Sequence, residues 1–202
     1  MIAHARPPYR SRLVARRTID LLRARQVPGW MTPRELGWLA QRARDAKVII
    51  EVGSWKGRST RALADNTTGV VYAIDPWAGE TLSEDGTVRA GTLNVWREFA
   101  WHLRDHLRTG RVRPLKMLSA EALPRLLTHD LVTTDLVFLD GDHREASVAA
   151  DIDAVWPLLR EGGILAGHDY GNVTWPGVSR AVDARFGAAV QTVESIWWVV
   201  KP

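Results

Sequence analysis

Four acidic residues each stand at the end of a short apolar run in this chain of 202 residues. Glu51 follows Val-Ile-Ile, and the other three are Asp75, Asp140 and Asp169. Short runs rich in Val, Ile and Leu that alternate with helical patterns are typical of buried parallel strands, whose carboxyl ends form the ligand-binding edge of an open α/β sheet. Because an unpaired buried carboxylate is costly, four acids at one edge predict a site for polarised or positively charged groups.

The elements that must position these acids follow from the alternation of apolar and helical patterns. We expect strands at 47–52, 70–75, 111–117, 135–140 and 162–168, and helices near 58–65, 120–127, 144–159 and 176–187. Thr32-Pro33-Arg34-Glu35 has the form of a capping box and predicts a further helix through about Arg44. This order predicts a doubly wound, Rossmann-like α/β fold with a mostly parallel sheet.

Two segments depart from this alternation. The insertion 76–110 spans 35 residues, contains a helical pattern around 92–108, and is far longer than a usual crossover, as is typical of lids and substrate loops. The last two apolar runs, AAVQTVE and IWWVVKP, are one residue apart, so we expect them to pair antiparallel as a C-terminal hairpin. We interpret Gly162-Gly163 as the turn from a helix into the fifth strand.

The loop after the first strand combines glycines with the start of a helix. Gly53 allows a tight turn near a ligand, Gly57 allows close packing of helix on strand, and the helix N-terminus offers free N–H groups. The G-x-x-x-G spacing matches neither the dinucleotide fingerprint nor the P-loop. Asp75 could accept hydrogen bonds from both hydroxyls of a ribose. With Glu51, these features predict an adenosine-type ligand, and an ordinary βαβ turn capped by Asp75 is the structural alternative.

The chain resembles the class I S-adenosylmethionine-dependent methyltransferases, most closely a bacterial branch of small-molecule O-methyltransferases (methyltransferase family 24). The resemblance rests on E-x-G-x-x-x-G, on an acid that ends the next strand, and on D-L-V-F-L-D-G-D-H and G-G-I-L-A-G-H-D-Y. It covers residues from about 47 to 202. It implies S-adenosylmethionine as the cofactor and a seven-stranded sheet with an antiparallel last strand, in agreement with the predicted hairpin.

The resemblance also implies which residues hold the cofactor. Glu51 and the loop after it would hold the methionine part, and Asp75 would hold the ribose. Ser119-Ala120 would border the adenine, with Glu121 or Trp77 nearby, although Ser119 could instead cap the helix at 120–127. The residues expected at the cofactor are Glu51, Gly53, Ser54, Trp55, Gly57, Asp75, Pro76, Trp77, Ser119, Ala120 and Asp140.

A second group of residues, at the ends of the fourth and fifth strands, would face the methyl acceptor. Methyl transfer to a hydroxyl is an in-line displacement, so the acceptor must be aligned and deprotonated. His143 or His168 could act as general base, oriented by Asp140 or Asp169. Alternatively, Asp140, His168 and Asp169 fall where metal-dependent relatives bind magnesium. An imidazole suits Mn²⁺, Fe²⁺ or Zn²⁺ better than Mg²⁺.

Several neighbouring residues also have a structural interpretation. Asp142, with Glu145 three residues later, resembles a capping box for the helix at 144–159. His102 and His106 are four apart on one helical face with no evident acidic partner, so we interpret them as surface or lid histidines. Trp175, after the fifth strand, could form a wall of the acceptor pocket.

Composition and charge limit the remaining classes. No apolar run approaches the roughly 18 residues of a membrane span, and the first residues do not resemble a secretory signal, so we expect a soluble cytoplasmic protein with no membrane partner. Without cysteine, disulfides and thiolate metal sites are excluded. The net charge is +4, and residues 1–31 form an Arg-rich arm with a helical pattern that ends near Pro28-Gly29. The arm could contact nucleic acid, an anionic membrane surface or an acidic partner, and a solvated helix face or a subunit contact is the structural alternative. Its apolar stripe is compatible with a homodimer.

The leading hypothesis is therefore O-methylation of a small molecule (a sugar, phenol or secondary metabolite) by a domain over 32–202, with or without a divalent cation such as Mg²⁺ or Mn²⁺. One alternative is an RNA methyltransferase that uses the Arg-rich arm. Nucleic acid is the less favoured acceptor, because D-G-D-H replaces the N-P-P-Y-type signature after the fourth strand. Another alternative is a non-catalytic, cofactor-binding interaction protein. The acceptor itself depends on the insertion 76–110 and on pocket shape.

Overall fold

The computed structural model describes residues 18–81, 88–90, 94–128 and 132–202. Most of the predicted basic arm therefore lies outside the described residues. Its remainder, 18–31, does not form the predicted α-helix and contains one short 3-10 helix, Ala24–Gln26. The reason is tertiary: the Arg58 side chain donates hydrogen bonds to the carbonyls of Val27 and Met31, which holds this segment as a strap of turns around the short 3-10 helix.

The described residues form nine strands and seven α-helices. The strands are β1 (Val48–Val52), β2 (Val70–Ile74), β3 (Gly79–Thr81), β4 (Val88–Ala90), β5 (Val112–Leu115), β6 (Thr134–Leu139), β7 (Leu159–Gly167), β8 (Gln191–Val193) and β9 (Ile196–Val200). The helices are α1 (Pro33–Ala43), α2 (Arg58–Asn66), α3 (Val95–His102), α4 (Arg104–Arg108), α5 (Ser119–Thr128), α6 (Glu145–Val155) and α7 (Pro176–Phe186). No helix in this part of the chain is long and apolar enough to cross a membrane.

Seven strands form one sheet in the order β5-β2-β1-β6-β7-β9-β8. The first five are parallel, and β9 runs antiparallel to both β7 and β8. This confirms the doubly wound sheet and the C-terminal hairpin predicted from the sequence. A separate antiparallel pair, β3 and β4, lies within the insertion 76–110.

Alternate residues of the parallel strands pack against helices on opposite faces of the sheet. Ile49 joins the core formed with α1, α2 and α3, whereas Ile50 joins the core formed with α5, α6 and α7. Since both faces are covered, the central strands β1, β2 and β6 are mostly apolar and buried, as expected for a parallel sheet. Polar groups are therefore concentrated at the strand ends, where the four acids lie.

Helix α1 begins with the predicted capping box. The Thr32 side chain accepts a hydrogen bond from the Glu35 backbone N–H, and the Glu35 carboxylate accepts one from the Thr32 backbone N–H. Pro33 occupies the first helical turn, as its missing N–H allows. The local signal alone therefore fixed where this helix starts.

Three predicted boundaries are wrong. Helix α6 ends at Val155 and β7 begins at Leu159, so Gly162 and Gly163 lie inside a strand and do not form the turn before it. Gly162 has φ +69°, and the register between β6 and β7 shifts just there, as in a β-bulge that needs a left-handed residue. The predicted helix around 92–108 is broken at Leu103 into α3 and α4.

The ends of β1 and β6 approach each other so closely that only glycine fits at position 53. Gly53 has φ +85°, and a Cβ built there would lie 1.9 Å from the backbone oxygen of Asp140. The Asp140 backbone N–H donates to the carbonyl of Val52 at 2.8 Å. Gly53 is thus needed for the contact between two strand ends, besides the tight turn expected from the sequence.

Gly53→Ala should lower the free energy of unfolding by about 3 kcal/mol, since left-handed strain of about 1–2 kcal/mol adds to a comparable steric term. The matched control is Gly110→Ala, because Gly110 has φ +70° but no atom within 4 Å of the added Cβ. Gly110→Ala should show the strain alone. Urea denaturation measures both, and equal losses would contradict the steric argument.

Candidate active site

Glu51 is fully buried at the end of β1. Its Oε2 accepts hydrogen bonds from the hydroxyls of Ser54, at 2.7 Å, and Thr60, whereas its Oε1 is buried with no hydrogen-bond partner. Burial raises the pKa of Glu51 to about 7, even though neighbouring hydroxyls act in the opposite direction. The Glu51 carboxyl thus has one acceptor oxygen without a hydrogen-bond donor, and it becomes anionic near neutral pH.

Asp75 ties the loop after β2 to the loop after β1. Its Oδ2 accepts the backbone N–H of Trp55 at 2.8 Å, and its Oδ1 accepts that of Trp77 at 2.5 Å. The indole N–H of Trp77 donates in turn to the carbonyl of Trp55 at 2.8 Å. Burial raises the pKa of Asp75. Asp75 therefore has the structural role that the sequence left as an alternative, and each oxygen keeps a second lone pair for a ligand.

Helix α3 packs on the loop that ends at Gly57. A Cβ on Gly57 would lie 2.3 Å from the Leu103 side chain, which follows α3, so this glycine too has a packing role. Lys56 Nζ lies 3.0 Å from the carboxylate of Glu98, and the Lys56 carbonyl is 2.9 Å from His102 Nδ1. Helix α3 and Leu103 therefore cover the loop after β1.

The two histidines of this insertion are anchors and not free surface groups. His102 contacts the backbone of Lys56, and His106 Nε2 lies 2.7 Å from Asp65 Oδ1 in α2. Asp65 is an acidic partner distant in sequence, which local spacing could not reveal. Together these contacts hold α3 and α4 against α2.

Of the residues expected near the adenine, Ser119 and Ala120 lie at the start of α5. Ala120 is exposed there, and Pro76 is exposed after β2, whereas Trp77 is buried against Trp96 and Phe99. Asp151, in α6, is also buried, and this burial raises its pKa to about 6, although the Ser119 hydroxyl acts in the opposite direction. Ser119 is thus oriented towards α6.

Two histidines and two aspartates meet at the ends of β6 and β7, and we call Asp140, His143, His168 and Asp169 the His–Asp cluster. His143 Nε2 lies 3.1 Å from Asp169 Oδ2 and 3.9 Å from Asp140 Oδ1. His168 Nδ1 lies 3.2 Å and 3.7 Å from the same two oxygens. The prediction that Asp140 and Asp169 come within reach of one another is therefore correct, and both imidazoles join them.

The charges of the His–Asp cluster stabilise one another. Burial alone would lower the pKa of His143, but Asp140 and Asp169 outweigh it and raise that pKa to about 9. Burial would also lower the pKa of His168, but the nearby carboxylates of Asp140, Asp169 and Glu35 outweigh it and raise that pKa to about 11. Burial raises the pKa of Asp140, whereas the two imidazoles hold that of Asp169 far below its usual range. The favoured state pairs imidazolium with carboxylate.

The exposure of the two histidines differs. The His143 side chain is 18% exposed, stacks on Trp175 with ring centroids 4.5 Å apart, and has a buried Nδ1 without a hydrogen-bond partner. The His168 side chain is 8% exposed, and its Nε2 lies 3.1 Å from Ser195 Oγ and 3.3 Å from Glu35 Oε1. His143 therefore forms the accessible side of the cluster, with Trp175 as its wall.

Glu35 is a member of this site that the sequence did not reveal. Its capping-box role is confirmed, yet the same carboxylate, 1% exposed, also reaches His168 at the far strand end. Burial opposes ionisation, but His168, Ser195 and Thr32 hold the pKa of Glu35 at about 2. No local signal distinguishes a capping glutamate that continues into a site from one that does not.

Asp142 lies beside the cluster but serves α6. The N-cap of that helix is Arg144, and its side chain makes no capping bond. Asp142 accepts from the Arg144 backbone N–H at 3.0 Å and from Ser147 Oγ at 3.0 Å. The predicted capping box, with Asp142 as N-cap and Glu145 three residues later, is therefore wrong, because the N-cap is Arg144. The structural interpretation of Asp142 is nevertheless supported.

A family model described as a methyltransferase domain matches residues 50–170, more than half of the chain. The chain belongs to this methyltransferase family. The match runs from the strand of Glu51 to the loop beyond Asp169, so it contains all four strand-end acids. It does not include α1 and hence Glu35.

Solved methyltransferase structures share this fold. An O-methyltransferase from Bacillus cereus, in complex with SAH, is 18% identical with a TM-score of 0.65, and the match covers 94% of each chain. CalS11, a TDP-rhamnose 3′-O-methyltransferase of calicheamicin biosynthesis, is 19% identical with a TM-score of 0.61, covering 82% of this chain and 76% of CalS11. The O-methyltransferase NovP is 21% identical with a TM-score of 0.59, covering 83% of this chain and 79% of NovP. No curated protein sequence matches the chain.

Three residues of this methyltransferase are close enough to share a metal ion. Ligand atoms of Asp140, His143 and Asp169 all lie within 4.8 Å of one another. The sequence placed His168 in this set, but in the structure His168 Nε2 is engaged by Glu35 and Ser195. His143 is the more accessible imidazole donor at the same two carboxylates.

Glu51 should make the stability of this methyltransferase depend on pH. The folded-state pKa, about 7, exceeds the ordinary value of 4.5, so ionisation of the buried carboxyl destabilises the fold as pH rises from 4.5 to 7. Between pH 5 and pH 8, the wild type should lose up to about 3 kcal/mol relative to Glu51→Gln. Urea denaturation at both pH values measures the difference, with Glu161→Gln, at an exposed position, as the matched control. Parallel pH profiles of wild type and Glu51→Gln would contradict this assignment.

Proposed function

We propose that this methyltransferase transfers a methyl group from S-adenosylmethionine to a hydroxyl of a small molecule. The observation that carries the proposal is the adjacency of two sets of acids, joined where Gly53 meets the backbone of Asp140. One set, Glu51 and Asp75, lies on the loops that a cofactor would contact. The other is the His–Asp cluster. The similar structures are O-methyltransferases, one with bound SAH and one that acts on TDP-rhamnose, which supports both the cofactor and the class of acceptor.

The cofactor half of the site would use the open acceptors described above. Glu51 Oε1 would accept from the ammonium of the methionine part, since it is buried and has no other partner. Asp75 would accept the ribose hydroxyls with the lone pairs that its two backbone bonds leave free. The adenine would lie towards Ser119-Ala120. Both carboxylates would also attract the positively charged sulfonium.

The acceptor half of the site would use His143 as general base. When bound, S-adenosylmethionine would supply an electrophilic methyl group to the acceptor hydroxyl and leave as S-adenosylhomocysteine, and the neutral imidazole of His143 would take the hydroxyl proton. Asp169 would orient that ring from 3.1 Å. Because Asp140 and Asp169 raise the pKa of His143 to about 9, the imidazolium would first have to lose its proton, and a sulfonium bound beside it would favour the neutral form by like-charge repulsion. His168, engaged at both ring nitrogens, would instead remain a fixed cation beside Asp140.

Asp140, His143 and Asp169 also fit a divalent cation, because their ligand atoms lie within 4.8 Å of one another. Two carboxylate oxygens and one imidazole nitrogen suit Mn²⁺ better than Mg²⁺. When bound there, such a cation would lower the pKa of an acceptor hydroxyl. His143 would then serve as a ligand and would have to be neutral.

S-adenosylhomocysteine should bind the wild type with micromolar affinity in titration calorimetry. Asp75→Asn keeps the size of the side chain but removes its charge, and it should weaken binding about tenfold or more, because charge-assisted hydrogen bonds contribute about 1.5–3 kcal/mol. Asp75→Ala should weaken it further. Asp142→Asn, at an acid held by Arg144, is the control and should bind as the wild type does. Absence of binding to the wild type would refute the proposed cofactor.

His143→Ala should reduce kcat by about 100-fold or more while the affinity for S-adenosylhomocysteine is unchanged, since it removes proton transfer but not the cofactor loops. The assay measures methyl transfer from labelled S-adenosylmethionine to a panel of phenol and sugar hydroxyls, with Asp142→Asn as the control. With His143 as base, EDTA should leave the wild-type rate unchanged. Loss of activity in EDTA and its recovery with Mn²⁺ would contradict this mechanism and support the cation.

A further inference from the structure

Glu35 joins three parts of the chain in one buried contact. Its Oε2 accepts the Thr32 backbone N–H at 2.8 Å, which closes the capping box of α1. Its Oε1 accepts the Ser195 backbone N–H at 3.1 Å and the Ser195 hydroxyl, at the turn between β8 and β9. The same Oε1 lies 3.3 Å from His168 Nε2, at the end of β7. The helix start alone explains only the first of these contacts.

His168 transmits this contact to the acids of the site. Its Nδ1 faces Asp169 Oδ2 and Asp140 Oδ1, the two oxygens that His143 Nε2 also approaches. The two carboxylates therefore lie between two imidazoles. Stacking on Trp175 holds the His143 ring, and Glu35 and Ser195 hold the His168 ring from its other nitrogen.

We propose that Glu35 is a positioning residue for methyl transfer: it fixes the His168 ring at Nε2, so that Nδ1 keeps Asp140 and Asp169 oriented towards His143. A buried imidazole that lost this anchor could turn a carbon atom towards the carboxylates and leave them without a partner. Groups that orient a reacting residue are effective because small misplacements lower the rate strongly. The expected effect on the rate rests on the proposed function. The orientation of His168 by Glu35 does not depend on that function.

The two roles of Glu35 can be separated by substitution. Glu35→Gln keeps the length of the side chain, and its single amide oxygen can still close the capping box with Thr32. Its NH2 group cannot accept from Ser195 or face a charged His168, so the contact made by Oε1 is lost. Thr32→Ala does the opposite, since it removes the hydroxyl half of the capping box and leaves Glu35 facing His168. The pair separates positioning from helix stability.

In the kinetic test, Glu35→Gln should reduce kcat about 10- to 100-fold, with the KM of the acceptor and the Kd of S-adenosylhomocysteine within about twofold of the wild type. Its Tm should also fall by roughly 2–4 °C, because the Ser195 backbone N–H loses its carboxylate acceptor. Thr32→Ala should lower the Tm by roughly 2–4 °C and leave kcat within about twofold. An unchanged kcat in Glu35→Gln, or an equal loss of kcat in both variants, would overturn the proposal.

A second measurement decides the geometry without an acceptor. In proton NMR, the ring N–H of His168, assigned by its absence in His168→Asn, should be a downfield signal protected from exchange with water. It should persist in Thr32→Ala and exchange rapidly in Glu35→Gln. The same protected signal in Glu35→Gln would overturn the positioning role. A wild type that keeps this pattern but neither binds S-adenosylhomocysteine nor transfers methyl would instead refute the proposed function.

Discussion

Burial of carboxylates at one edge of the sheet is the constraint on which this structure depends. The apolar strands leave polar chemistry to their ends, and a carboxylate taken from water there needs a hydrogen bond or a cation. The described chain meets this need in three ways. Asp75 receives two backbone N–H groups, Asp169 and Glu35 receive imidazoles, and Glu51 receives hydroxyls on one oxygen only.

These different partners explain why the pKa values of chemically similar acids are shifted in opposite directions. Paired charges hold the pKa values of Glu35 and Asp169 low, whereas burial without a cation raises that of Glu51. A group whose partners are complete contributes to the fold and has little left for a ligand. A group with an open acceptor destabilises the free protein and gains most when a ligand supplies the missing donor. Ligand affinity and the stability of the free protein are therefore opposed at Glu51.

The sequence predicted what local periodicity and capping encode, and missed what depends on distant contacts. A few consecutive residues are enough to predict the start of α1. The same holds for the C-terminal hairpin and for the acids at the strand ends. The pairing of Glu35 with His168, and the bulge at Gly162, depend on segments that meet only in the folded chain. The helical pattern of residues 18–31 was overridden by the bonds that Arg58 makes to that strap. Tertiary contacts outweigh weak local propensity in such cases.

The residues of this site come partly from the segment that matches the family model and partly from outside it. Residues 50–170 supply the strand-end acids and both histidines of the cluster, whereas the counter-charge on His168 comes from α1 and the hydroxyl beside it from Ser195, both outside the match. The carboxyl of Glu35 is needed at the helix start in any case. Its second contact therefore requires only that α1 pack across the end of β7, where the β8–β9 turn closes over it. Since the cap and the ion pair share one side chain, the stability of α1 and the orientation of His168 are physically coupled, and a change that displaces the helix start must also reach the acids beside it.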